Sequence, residues 1–246
     1  MTVDVAVQAT ALGLAVLLLL LRLPGALRGQ NRAMFAGMVL IILAMGLSLP
    51  GFYNVADAWL GGQNLANLVL RLTLYAVFVI LGVKTAAAFG ALGARRLIIG
   101  PVGIAALVLT VGLTVYFFAA SDLPESSVGL QAYETQLTVQ SYASLGRLYP
   151  AYVAACLCGP AIAAAGNPRL RVLRRFGSGF FGAGLALVVI FSFLQEVVYL
   201  GIFTALIPFL AAILAISGLL IMWVSRVQQR RRPALNPLAE SYRNVS

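Results

Sequence analysis

This sequence predicts an all-α integral membrane protein: a bundle of seven transmembrane helices, N-terminus outside and C-terminus cytoplasmic. Three observations carry the prediction. Of the 246 residues, 61% are hydrophobic and 10% charged, against about 25% charged in soluble domains. The apolar residues gather into runs of membrane-crossing length, about 20 residues per helix. The cations keep almost wholly to alternate connections between those runs, the pattern that sets orientation in a bilayer. The expected location is the plasma membrane, multi-pass. A seven-helix domain is expected over residues 1–225 and a basic cytoplasmic tail over 226–246, with no soluble domain.

The first apolar run covers residues 5–21. Asp4 precedes it and Arg22, Arg28 and Arg32 follow, the reverse of a secretory signal, whose positive charge comes first. It reads as an uncleaved span entering from outside. The second run, 33–49, closes in the turn LPGFY, and the connection NVADAWLGGQ carries Asp57. The third, 65–83, ends at Lys84. TAAAFGALGARR leads into the fourth, 97–119. The longest polar stretch, SDLPESSVGLQAYETQ, then holds Asp122, Glu125 and Glu134. The fifth run has its apolar core at 148–165, with an outer helical extension over 137–147. After GNPRLRVLRR, residues 176–224 form one apolar block, long enough for two helices and a tight turn near Leu200. Pro101, Pro150, Pro160 and Pro208 lie in or near spans, where neighbouring helices can satisfy the carbonyls that prolines free. Two of them in one helix bend the fifth span.

Every Lys and Arg except Arg71 and Arg147 falls on one side of this topology, while Asp4, Asp57, Asp122, Glu125 and Glu134 fall on the other. The net charge of +10 is therefore an orientation signal. Nucleic acid is not expected as a partner, because no basic stripe is interleaved with aromatics. The tail RVQQRRRPALNPLAESYRNVS is a candidate site for anionic lipid, although topology alone explains its charge.

Several chemistries are excluded. There is no histidine, and Cys156 and Cys158 point about 200° apart on a helix, so they form neither a redox motif nor a metal site. GSGFFG at 177–182 matches G-x-G-x-x-G, but a dinucleotide site requires a preceding strand. Here Gly177, Gly179, Gly182 and Gly184 instead smooth a helix for close packing. Microbial rhodopsins hold retinal on a lysine of the seventh helix; this seventh helix has none, and Lys84 is the sole lysine. No cofactor, no metal and no enzymatic activity are expected.

What remains is an intramembrane polar set. Ionisable residues within spans face the bundle interior and find partners. Arg71, Glu196 and Arg147 all fall in the outer third by depth: Arg71 about 9 Å from the start of its helix and Glu196 about 6 Å from the outer turn, at 1.5 Å per residue. Glu196 is expected to pair with Arg71, Arg147 or both, beside Gln195, with Tyr142, Tyr149 and Tyr199 as hydrogen-bond neighbours. The cluster is a latch between spans, an outward-facing pocket for a small ligand, or side chains that snorkel to the headgroups.

The stretch LRLPGALRGQNRAMFAGMVLIILAMGLSLPGFYNVADAWLGGQNLANLVLRLTLY resembles the opening of an actinobacterial family of seven-span proteins, often labelled transporters on hydropathy. The shared features are an Arg-rich first loop (Arg22 to Arg32), Pro50 closing span two, and Asn64-Leu65-Ala66 opening span three. NPRLRVLRR before a Gly-rich sixth span fits as well, and the resemblance covers about residues 10–225. It implies the same seven-span architecture. Members commonly carry a longer cytoplasmic region after the seventh span, which implies either a reduced version of the family protein or a separate cytoplasmic protein partner. The expected role is a non-enzymatic sensor or interaction module. The alternatives are a small-molecule transporter and a structural membrane subunit.

Overall fold

The computed structural model describes residues 3–29, 32–198, 200–201 and 203–231. Among them the regular structure is entirely helical. In order it comprises α1 (Val3–Leu27), α2 (Arg32–Leu47), α3 (Pro50–Trp59), α4 (Leu65–Ala88), α5 (Leu92–Ile99), α6 (Pro101–Ala119), a short 3-10 segment (Val128–Tyr133), α7 (Leu137–Gly166), α8 (Val172–Val197) and α9 (Phe203–Arg231). Among the described residues six spans are long and apolar enough to cross a membrane, α5 and α6 together making one; counting the α2–α3 pair, bent by 97°, as a broken span gives seven. The protein is a multi-pass membrane protein whose outer faces contact lipid. On α6, for example, Val102, Ile104, Val108 and Leu109 are exposed.

Several features differ from the sequence reading. The connection after span two is a helix, α3, with Pro50 in its first turn, where a missing N–H costs nothing. Tyr53 and Asp57, four apart, are buried, while Phe52, Val55 and Trp59 are exposed. That is the division expected of a helix lying in an interface. At the other end of the chain, α9 continues beyond the expected end of span seven to Arg231, so the start of the tail is helical.

The break between α5 and α6 falls at Gly100, which is extended, and Pro101 opens α6. A Cβ at Gly103 would collide with the carbonyls of Leu97 and Ile98. Proline has no N–H to offer a carbonyl of the preceding turn. The Tyr152 hydroxyl, from α7, donates to the Leu97 carbonyl at 2.6 Å instead. α7 itself runs as one helix through Pro150 and Pro160, including the extension from Leu137.

The core joins Leu18 of α1, Met38 of α2, Tyr75 of α4, Ile98 of α5, Val153 and Leu157 of α7, Phe181 and Leu185 of α8, and Leu219 of α9. The glycines of α8 serve two faces. A Cβ at Gly184 would lie 2.7 Å from Ala211 O and Ala215 N of α9, and one at Gly177 would lie 2.8 Å from Met222 Cγ. Gly182 and Gly179 turn instead toward Ala161 and Ala165 of α7. Backbones approach closely where small residues line the seam.

The bundle has two unlike ends. At the basic end Arg22 (α1), Lys84 (α4), Arg174 (α8) and Arg226 (α9) gather around one cavity with Trp223. At the acidic end lie α3, the segment 120–136 and the chain around Glu196. Residues of α2 line the basic cavity, whereas α3 meets the start of α4. Short as it is, α2 therefore carries the chain from one end of the bundle to the other.

Candidate functional site: the polar cluster of the acidic end

At the outermost level Asp57 organises the start of α4. Leu60, Gly61 and Gly62 end α3 in a reversal, with Gly61 and Gly62 at φ 101° and 69°. The Gly62 N–H donates to the Asp57 carbonyl at 2.7 Å, the six-to-one bond that closes a helix C-terminus. That turn folds the chain back on itself. The Asp57 carboxylate then accepts from the N–H groups of Asn64 and Ala66, each at 3.0 Å. It also accepts from the Ser126 hydroxyl. A helix N-terminus leaves N–H groups unpaired and carries partial positive charge. Here a carboxylate with no solvent exposure supplies both remedies from seven to nine residues upstream.

Asn64, left-handed at φ 59°, joins this cap to the loop above. Its Oδ1 accepts from the Tyr53 hydroxyl at 2.9 Å and the Ser127 N–H at 2.7 Å, and its Nδ2 donates to the Glu125 carbonyl at 2.7 Å. The loop braces itself as well: the Gln136 amide exchanges bonds with the Asp122 backbone, and the Tyr133 hydroxyl does the same at Glu125.

One turn deeper, the Tyr142 hydroxyl of α7 donates to Asn67 Oδ1 at 2.8 Å. The Arg71 guanidinium lies over the Tyr142 ring, 5.2 Å from its centroid, within range of a cation–π attraction. It is seated against Gly146, where any Cβ would overlap it. Among the described residues Arg71 has no carboxylate partner, and its Nε is buried without a hydrogen bond.

The acid goes elsewhere. Glu196 Oε1 accepts from Arg147 Nη2 at 2.7 Å, and its Oε2 accepts from the Ser144 hydroxyl at 2.8 Å. Arg147 Nη2 also reaches Ser144 Oγ at 3.1 Å. Glu196 sits in the last turn of α8, facing the negative pole of the helix, and Arg147 offsets that charge from α7. The pair is partly open, with the side chains of Arg147 and Glu196 19% and 36% exposed.

The structure thus joins Glu196 with Arg147 and sets Arg71 apart on Tyr142. Gln195 is half-buried, its Oε1 without a partner. Tyr149 lies deeper, packed edge-on against Tyr75 at 5.4 Å between ring centres, with its hydroxyl unbonded; it is not a neighbour of the acid in any hydrogen bond. Tyr199 lies outside the described residues. From the sequence, Asp57 reads as a loop acid and Asn64 as part of the opening of span three, and neither as a site residue. The doubled glycine after α3 was the available signal, since it turns an upstream acid back toward the next helix start.

The cluster contributes one carboxylate paired to one guanidinium, a second carboxylate engaged by a helix start, and a second guanidinium without an acid. No known family model, curated protein or solved structure matches this chain.

Proposed function

We propose that this is a non-enzymatic protein with seven spans, acidic end outside and basic end in the cytoplasm, serving as a sensor or interaction module of the plasma membrane. The observation that carries the reading is Arg71, a half-buried cation within a span, with no carboxylate partner among the described residues. Intramembrane cations are costly and ordinarily paired. One held in place by Tyr142 and Gly146, yet left without an acid, is suited to a small anionic ligand arriving from outside.

Two of the helices that span the bundle carry a charged group near each end. Arg71 and Lys84 lie on α4, about 20 Å apart along the axis, and Arg174 and Glu196 lie on α8, about 33 Å apart, at 1.5 Å per residue. A ligand that favours one placement of these helices at the outer end biases their inner ends too. A cytoplasmic partner would read that change. The resemblance to the actinobacterial seven-span proteins belongs to the same proposal through its topology.

Transport is the second reading, favoured by the 97° break between α2 and α3 and by the break at Gly100, since transporters build sites from discontinuous helices. The test is thermal unfolding of the full chain in nanodiscs with acetate, succinate or glutamate. One of these is expected to raise Tm saturably in the native protein and to lose that effect in Arg71→Gln. If none stabilises, or if Arg71→Gln responds like the native chain, the ligand reading is wrong. Proteoliposome flux of the stabilising anion would replace sensing by transport.

A further inference from the structure

The cavity at the basic end has a volume of about 350 Å³. Four cations line it, Arg22, Lys84, Arg174 and Arg226, and among the described residues its lining contains no acid. They come from four different helices, α1, α4, α8 and α9, so their convergence is a property of the fold. Arg22 Nε is buried without a hydrogen-bond partner. Arg174 spends one N–H on the Ala88 carbonyl at 3.3 Å, and this bond fixes α8 against the end of α4. Ser225, also on the lining, is buried and adds a hydroxyl.

Like charges around a confined space between apolar helices repel one another, and low dielectric strengthens the repulsion. An anion in the middle reverses its sign. The ligand chemistry follows from the donors: two or more guanidiniums that can present paired N–H groups, a lysine as a point charge, and a hydroxyl. Guanidiniums match the oxygens of phosphate in a bidentate manner, and lysine is a common companion. Trp223 and Met222 supply an apolar wall beside them.

We infer that this cavity binds a phosphate group, carried either by an anionic lipid headgroup or by a soluble phosphate compound. It lies at the opposite end from Arg71 and does not depend on the reading given to the outer cluster. From sequence, the anionic lipid was expected on the tail. Among the described residues that line the cavity, Arg226 comes from that region, and the other three cations come from the ends of α1 and α4 and the start of α8.

Trp223 allows a direct test on the full chain in phosphatidylcholine nanodiscs, with Trp59→Phe as the background. Its fluorescence is followed while phosphatidylglycerol is added to the bilayer in one arm and inorganic phosphate or pyrophosphate to the solution in the other. A saturable change in the lipid arm alone identifies a headgroup site; one in the soluble arm identifies a phosphate site. Arg22→Gln and Arg174→Gln are each expected to weaken the response about 10-fold or more, the loss typical of a charge-assisted bond. Lys84→Gln, on an exposed side chain, is a gentler change and should weaken it as well. Arg95→Gln, a cation that does not line the cavity, should leave it unchanged. No response in either arm would overturn the assignment. So would Arg22→Gln and Lys84→Gln titrating like the native chain, or Arg95→Gln weakening binding as much as they do.

Discussion

Arg71 of α4 and Gly146 of α7 fit together as a side chain and the space left for it: the guanidinium occupies the position a Cβ at residue 146 would take. Gly146→Ala must therefore displace Arg71 from Tyr142. The expected cost is about 1–3 kcal/mol, the range for overfilling a packed site. In the Arg71→Ala background the same substitution should cost less, with a coupling of about 1 kcal/mol or more. Equilibrium unfolding in mixed micelles checks both; an uncoupled pair would contradict the contact.

Asp57→Ala removes the acceptor for two N–H groups of α4 and for Ser126. Loss of a helix cap costs about 0.5–2 kcal/mol, and leaving buried donors unpaired adds about 1–3 kcal/mol. The total should be about 1.5–5 kcal/mol. Hydrogen exchange should rise first at residues 64–67. Asp57→Asn, which keeps one acceptor oxygen, should fall between the two.

The Arg147–Glu196 pair is half open, and the two charges should couple by about 0.5–1 kcal/mol in a double-mutant cycle. Arg147→Gln should destabilise more than Glu196→Gln, because it leaves a carboxylate at the negative end of α8. Arg71 and Glu196 should show no coupling within error. A coupling there as large as that of Arg147 would mean that the acid is shared.

Glycines of one helix, α8, should respond differently to alanine. Gly184→Ala drives a Cβ against the backbone of α9 at 2.7 Å, whereas Gly179→Ala meets nothing nearer than 3.8 Å. The first should lose about 1–3 kcal/mol by overpacking and the second should be close to neutral. Thermal unfolding of the two variants side by side decides the matter.

The helices were legible because hydropathy and charge fix where a chain enters and leaves lipid. Depth was legible too: counting along α4 and α8 places Arg71 and Glu196 in one layer. Depth is only one coordinate, however, and residues at equal depth can face different ways around the bundle. α7 packs against both α4 and α8, and it hands Arg147 to the acid while receiving Arg71 on Tyr142 and Gly146. Asp57 was hidden for another reason. An acid between two apolar runs looks solvated until the reversal at Gly61 and Gly62 turns it onto the next helix. The basic cavity was spread over four distant segments, each of which read as an orientation signal by itself.

The chain contains two tryptophans, and α3 and α9 hold them at opposite ends of the bundle. Trp59, at the end of α3, is 88% exposed, and Trp223 looks into the basic cavity. The molecule thus carries two intrinsic optical reporters separated by the thickness of the bundle. Brominated lipids quench a tryptophan according to its depth, so Trp59→Phe and Trp223→Phe would yield single-emitter proteins. One watches the end of the bundle that holds Arg71 and the other watches the cations, so events at the two faces can be timed against each other without attaching a dye.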